Sequence, residues 1–304
     1  MFNSRLIAFA VGALLCSFGQ QASAQACCAG VNAITPARLG LHEDALVGAS
    51  FRLQNVYGNY DASGNYQRAL SGTSEQDLQE AVVVAARVSS RVQVALLAPI
   101  VQTIRRTRQA VESGGGLGDL NFSTRYDILR AHESRFVPGF GFLAGLTVPT
   151  GRAAEAARMP LATDATGTGA AQVVVGLALE QSYGPWLLGS TGVLAWRSSR
   201  TAQEIRLSSP LQMTLRVAAS YAFKNGVGLG AAASYAAEGN RSVNGQLVPQ
   251  SSNRLLNGML SGVIPFGERW RGTAMFSMSP PLSGISRNQP ANMGTTIGII
   301  WSYP

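Results

Sequence analysis

The sequence predicts an all-β protein: a transmembrane, antiparallel, up-and-down β-barrel of about twelve strands. Three observations predict it. The chain is 46% hydrophobic yet only 13% charged, about half the usual charged fraction of roughly 25%. Beyond the N-terminus it holds no run of some eighteen apolar residues, so no helix is expected to span a bilayer. Short segments instead alternate apolar and polar residues with period two, the signature of strands with two unlike faces. Their connections also alternate between short and long, as they do in bacterial barrels with tight periplasmic turns and longer outer loops.

The N-terminus reads as an export signal. Arg5 opens a positive region, Leu6 to Phe18 is an apolar stretch too short to span, and Ala22-Ser23-Ala24 and Ala24-Gln25-Ala26 both fit a small-residue cleavage site. Residues 1–26 are expected to leave as a signal peptide, cut after Ala24 or Ala26. Residues 27–43 would then be a short periplasmic segment and 44–304 the barrel. The three cysteines build no disulfide framework, since Cys16 leaves with the signal and Cys27 and Cys28 are adjacent, a strained pairing. Cys27 is also a lipidation candidate, although Ala24 and Gln25 fit a lipobox poorly.

Twelve strand segments follow, near 44–59, 77–88, 91–104, 117–130, 136–149, 170–182, 185–197, 210–223, 226–237, 253–266, 269–279 and 292–303. The alternation is cleanest over 117–130. Leu120, Phe122, Thr124, Tyr126 and Ile128 share one face there, and Asp119, Asn121, Ser123, Arg125 and Asp127 the other. In 77–88 and 91–104, valine and alanine occupy both faces and the register is soft. Short turns are expected at 89–90, 131–135, 183–184, 224–225 and 267–268. Long links are expected at 60–76, 105–116, 150–169, 198–209, 238–252 and 280–291. An even strand count with this alternation places both termini on the periplasmic side of an outer membrane. Trp186, Trp196, Tyr126, Phe136, Trp270, Trp301 and Tyr303 fall near strand ends, where an aromatic girdle sits. Trp301-Ser302-Tyr303-Pro304 resembles the C-terminal signal read by the barrel-assembly machinery, with Pro304 in place of the usual final aromatic residue.

Several motifs then carry a family resemblance. Arg91-Val92-Gln93-Val94 leads to Ala98-Pro99-Ile100-Val101. Gly116-Leu117-Gly118-Asp119-Leu120 precedes Tyr126, and Leu146-Thr147-Val148-Pro149-Thr150-Gly151 precedes Gly167-Thr168-Gly169. In this order, over roughly 90–195, they resemble the outer-membrane transporters named for the MetA pathway of phenol degradation. The resemblance implies a barrel and a transport role with a bias toward hydrophobic or aromatic solutes; it names no substrate. Read locally, Gly116 and Gly118 permit a turn back into the membrane, and Pro149-Thr150-Gly151 ends a strand.

Little catalytic chemistry is legible. Gly114-Gly115-Gly116 opens a strand and lacks the Lys-Ser or Lys-Thr of a phosphate loop. His42 and His132 are the only histidines, in no metal-ligand spacing and, if the topology holds, at the periplasmic end. A twelve-stranded lipid hydrolase needs its histidine at the opposite end, so that reading ranks last and no enzyme, cofactor or metal is expected. The net charge of +8 is scattered, which argues against nucleic acid. Loop residues Arg105, Arg106, Arg108, Arg152 and Arg158 are expected to meet lipopolysaccharide or solvent.

The inward faces carry the functional expectation. Arg52, Gln54, Asp119, Asn121, Arg125, Asp127, Gln172, Glu180, Gln212, Arg216 and Arg271 are expected to line a narrow, mildly cationic lumen. That suits a passive channel or transporter for small solutes, and the family resemblance implies a hydrophobic or aromatic bias among them. The alternative is a non-conducting barrel, rigidified by a charge-paired interior, whose loops bind a partner.

Overall fold

The computed structural model describes residues 38–304, apart from residues 41, 132, 135 and 203. The expected signal peptide, its cleavage sites, Cys27 and His132 lie outside the described residues.

In chain order the strands are β1 (Ala45–Tyr60), β2 (Tyr66–Arg68), β3 (Ser74–Ser89), β4 (Val92–Arg106), β5 (Val111–Leu117), β6 (Leu120–Leu129), β7 (Gly139–Val148), β8 (Gln172–Tyr183) and β9 (Trp186–Arg197). They continue with β10 (Arg200–Ala202), β11 (Ile205–Ser208), β12 (Gln212–Ala222), β13 (Gly228–Glu238), β14 (Ser242–Val243), β15 (Gln246–Leu247), β16 (Asn253–Pro265), β17 (Trp270–Met278) and β18 (Gln289–Tyr303). Twelve of these form the wall, in the order β1, β3, β4, β6, β7, β8, β9, β12, β13, β16, β17, β18, each antiparallel to the next. Pairing of β1 with β18, from Ala45 opposite Tyr303 to Tyr60 opposite Gln289, closes the ring. Closure leaves no sheet edge to lipid, where each unpaired backbone group would cost several kcal/mol. All twelve expected segments overlap a wall strand.

The register resolves the faces that were ambiguous over 77–104. Val82 and Val84 of β3 and Val94 and Ile100 of β4 point outward and are exposed, while Ala81, Ala85 and Leu97 point inward and are buried. Around most of the wall the outward positions are apolar and exposed, among them Val47, Phe51, Phe122, Leu177, Leu215, Leu260 and Ile297, with Glu80 of β3 a charged exception between Phe51 and Ile100. This is the arrangement a hydrocarbon surround requires. Aromatic side chains collect at one end: Trp186 contacts Tyr221 (ring centroids 5.0 Å apart), Tyr221 contacts Phe223 (4.8 Å), and Trp301 contacts Tyr303 (6.2 Å). Trp196 lies at the opposite end of β9, and Phe136 sits in the connection after β6 rather than in a strand.

The connection pattern needs one correction. The expected long link over 105–116 is a four-residue turn, 107–110, because β5 pairs with Arg106 to Ile100 and prolongs the hairpin. Conversely, the link after β6 spans nine residues, 130–138. Strands β5 and β6 are one wall strand broken at Gly118-Asp119. The break occurs where a Cβ on Gly118 would lie 2.9 Å from the Pro99 ring.

The wall is therefore uneven. Strands β18, β1, β3 and β4 have 15 or 16 residues, whereas β6, β7, β12, β13 and β17 have 9 to 11. At about 3.3 Å per residue the difference is some 15–20 Å of strand. The surplus stands at the end that carries most of the long connections. There β10, β11, β14 and β15 join the connections on either side of the β12–β13 hairpin into a second, four-stranded sheet. The short-turn end carries the aromatic cluster and the start of β1.

Candidate solute pathway

Inward positions follow from the register, and the eleven expected pathway residues all occupy inward faces. They fall into separate groups. At the short-turn end Arg125 bonds Asp127 (2.6 Å) and grips both oxygens of Glu180 (3.0 and 2.9 Å), all three buried. Carbon-lined space forces this pairing, since removing water from a charge is affordable only beside its opposite. Toward the other end, Gln172 and Gln212 accept hydrogen bonds from Arg197 (2.8 and 2.6 Å), which also pairs with buried Glu238 (3.3 Å). Arg52 donates to Gln79 (2.5 Å), and Gln54 lies between Asp77 and Gly294 on the neighbouring strands. Arg216 faces inward opposite Thr191 and Ser234, and Arg271 pairs with Glu43 (2.6 Å). The mildly cationic lumen expected from the sequence is thus largely neutralised by inward carboxylates. Arg197 and Glu238 were missed although strand parity could have found them: Arg197 ends an expected strand at an odd, inward position.

Asp119 and Asn121 have a different role from lining a pathway. The Asp119 carboxylate accepts the backbone N–H of Gly151 (3.0 Å) and both the N–H and hydroxyl of Thr168 (2.7 and 2.9 Å). The Thr150 hydroxyl donates to the Gly118 carbonyl (2.7 Å), and the Thr166 hydroxyl to that of Leu117 (2.7 Å). Asn121 donates to the Asp119 carbonyl (2.9 Å) and accepts from Thr147 (2.7 Å). A Cβ on Gly167 would lie 2.3 Å from the Asp119 carboxylate, and one on Gly151 would lie 2.8 Å from Gly167. The three glycine-bearing motifs, separated by tens of residues in sequence, are therefore one clasp.

The clasp fastens connection 149–171 against the inner face of the tall wall. Glu112 accepts the Leu161 N–H (3.0 Å) and the Thr163 hydroxyl (2.8 Å), and Arg105 donates to the Leu161 carbonyl (2.5 Å) while pairing with Glu75 (3.1 Å). Gly114 lets the connection lie flat, because its Cβ would meet Thr163 and Asp164 backbone at 2.8 Å. Asp164 takes the N–H groups of Arg158 and Met159 and pairs with Arg152. Those N–H groups, Arg158 first, hold its carboxyl below the usual aspartate range against the opposing effect of burial. Arg105 and Arg152 thus pair within the fold while their side chains stay 33% and 39% exposed.

The residues before β1 also enter the lumen. Arg38 pairs with Glu180 (2.8 Å), the Leu39 N–H donates to Gln93 (3.0 Å), and Arg87 donates to the carbonyls of Gly40 (2.5 Å) and Glu43 (3.0 Å). The Leu39 side chain is buried against Leu46 and Ala85. Of the expected periplasmic segment 27–43, the described residues Arg38, Leu39, Gly40 and Glu43 bond side chains on the inner face of the wall. His42 is exposed beside this segment. Among the described residues no group of three or more His, Cys, Asp or Glu could hold a metal ion.

Around the lumen the wall has two characters. On β7, β8 and β9 the inward residues Leu143, Val174, Ala178, Val193 and Ala195 form a buried apolar cluster. On β12 and β13 the inward residues Thr214, Arg216, Ala218, Gly230, Ala232, Ser234 and Ala236 are small apart from the arginine and only half-buried. These half-buried positions leave solvent-sized room in front of them.

Among solved structures, the COG4313 outer membrane channel from Pseudomonas putida F1 matches with a TM-score of 0.72 at 13% identity, over 88% of this chain and 99% of that one. The translocator domain of the autotransporter NalP from Neisseria meningitidis gives 0.49 at 12% identity, over 86% and 88%. The TodX deltaS2S3 mutant, a monoaromatic hydrocarbon channel, gives 0.47 at 10% identity, over 86% and 90%. No sequence-family model matches the chain, and no curated protein matches it. At this identity the first likeness speaks to the fold, which is that of a twelve-stranded outer-membrane barrel.

Proposed function

We propose that this chain is a passive outer-membrane channel for small solutes, with its long connections outside the cell and both termini in the periplasm. The observation that carries the proposal is the half-buried inner wall of β12 and β13, made of small residues apart from Arg216. A barrel built only to be filled would place large side chains there. The wall suits solutes with an apolar body and a polar end, since Leu97, Met259 and Met275 line it beside Arg52 and Arg216. The bias toward hydrophobic or aromatic solutes rests on the sequence resemblance, and the likeness to an outer membrane channel agrees with transport. The partners are outer-membrane lipid, lipopolysaccharide and, during biogenesis, the barrel-assembly machinery; no catalytic step is part of the proposal.

Swelling of proteoliposomes in a graded series of solutes tests it. Swelling above that of protein-free vesicles, falling off with solute size, supports a channel. No swelling with any solute favours the non-conducting barrel, a reading to which the charge-paired inner wall already lends weight.

A further inference from the structure

The segment preceding β1 is held at points far apart on the wall. Arg38 reaches Glu180 on β8, Leu39 reaches Gln93 on β4, Gly40 and Glu43 meet Arg87 on β3, and Glu43 reaches Arg271 on β17. Strands β8 and β17 stand nearly opposite each other: six wall strands separate them one way and four the other. Five residue steps of extended chain cover at most about 17 Å, a reach that suits a span across the opening. Leu39, at the centre of the hold, is only 3% exposed.

We propose that the stretch from Arg38 to Glu43, of which residues 38–40, 42 and 43 are described, is a strap across the periplasmic mouth of the lumen, and that solutes pass when its holds on the wall let go. The attachments suit release. The strap's described residues belong to no strand; the backbone ladder begins at Asp44, whose N–H donates to the Tyr303 carbonyl (2.8 Å) and whose carbonyl accepts from the Arg87 N–H (2.7 Å). Two of its holds are ion pairs made by side chains alone, Arg38 with Glu180 and Glu43 with Arg271, so release turns side chains and unpairs no wall strand. The middle is held by one leucine and the Arg87 guanidinium. Segments with few buried contacts open locally at small free-energy cost. The closure stands on geometry alone; its role in passage rests on the channel reading.

Accessibility separates the two. In a background with Cys27 and Cys28 changed to serine, Thr191→Cys places one thiol on the inward face of β9. A small membrane-impermeant thiol reagent is supplied from the side of the termini. Labelling is expected to be slow in this parent and about tenfold faster in Arg38→Ala/Glu43→Ala, as the open population rises. A second pair, Leu39→Cys with Ala85→Cys in the same packed cluster, tethers the strap. Oxidation should slow both labelling and solute uptake, and a reductant should restore them. Equal labelling in parent, released and tethered forms overturns the strap whatever the flux. Faster labelling on release without solute flux in any form keeps the strap and sinks the channel reading.

Discussion

The two ends of the lumen are closed down by different chemistry. At the end that carries the long connections, connection 149–171 is clasped by a buried carboxylate taking backbone and hydroxyl donors, between glycines that admit no side chain. At the short-turn end, Arg38 and Glu43 hold the proposed strap by long side chains in ion pairs. A clasp of backbone groups has one geometry and little to gain by moving. A strap on flexible arginines has alternatives in water. The difference teaches which end is permanent architecture and which is adjustable.

The largest expected effect comes from Arg125→Ala. It leaves buried Asp127 without its arginine and Glu180 with Arg38 alone, a loss of about 3–5 kcal/mol for breaking a buried pair. It also disturbs the anchor of Arg38. The urea midpoint of the refolded barrel in detergent should fall accordingly, and Glu180→Gln added to Arg125→Ala should recover part of the loss.

Next comes the clasp. Asp119→Ala removes the acceptor of three hydrogen bonds, and each buried donor left unsatisfied costs about 1–3 kcal/mol. The cost should appear as protease cleavage within 150–169 more than as a lower midpoint, because the wall strands keep their pairing. Gly167→Ala should do the same, since its Cβ would press on the same carboxylate.

The strap should answer in the opposite way. Glu43→Ala is expected to lower the midpoint less than Arg125→Ala does, since it breaks one pair and not a three-membered network, while raising lumen labelling. A large midpoint shift with no change in labelling would break the comparison, because it would make the strap architecture too.

The smallest effect is with pH. Asp164 has its folded pKa lowered by the N–H groups it accepts. Its contribution is therefore fully present above the unfolded value of about 3.9 and is lost as pH falls through the lower folded value. Hydrogen-exchange protection of the Arg158 and Met159 amides should be unchanged from pH 7 to 5 and should fall only below pH 4.

Much of the wall was legible because alternation is dictated locally: each outward residue must suit lipid whatever its neighbours do. The ring of Leu120, Phe122, Tyr126 and Ile128 against Asn121, Arg125 and Asp127 needed no tertiary knowledge. What each inward residue does depends on partners distant in sequence. Asp119 reads as one more polar lumen position, and only the fold brings Gly151 and Thr168 to it from 32 and 49 residues away. The glycine motifs carried a visible signal, but glycine marks a close approach without naming what approaches. The strap was hidden for the same reason: Leu39 lies in a stretch with no period-two alternation, and nothing local says that it turns into the barrel. The β5 extension was missed because Gly114-Gly115-Gly116 has no alternation to read.

The most direct test of the whole account is solute-driven swelling of vesicles that contain either the parent protein or Arg38→Ala/Glu43→Ala. The account predicts swelling with small solutes in both, faster in the released form, with the same upper size limit if the clasped outer connection sets that limit. Swelling no faster than protein-free vesicles in either form would contradict it.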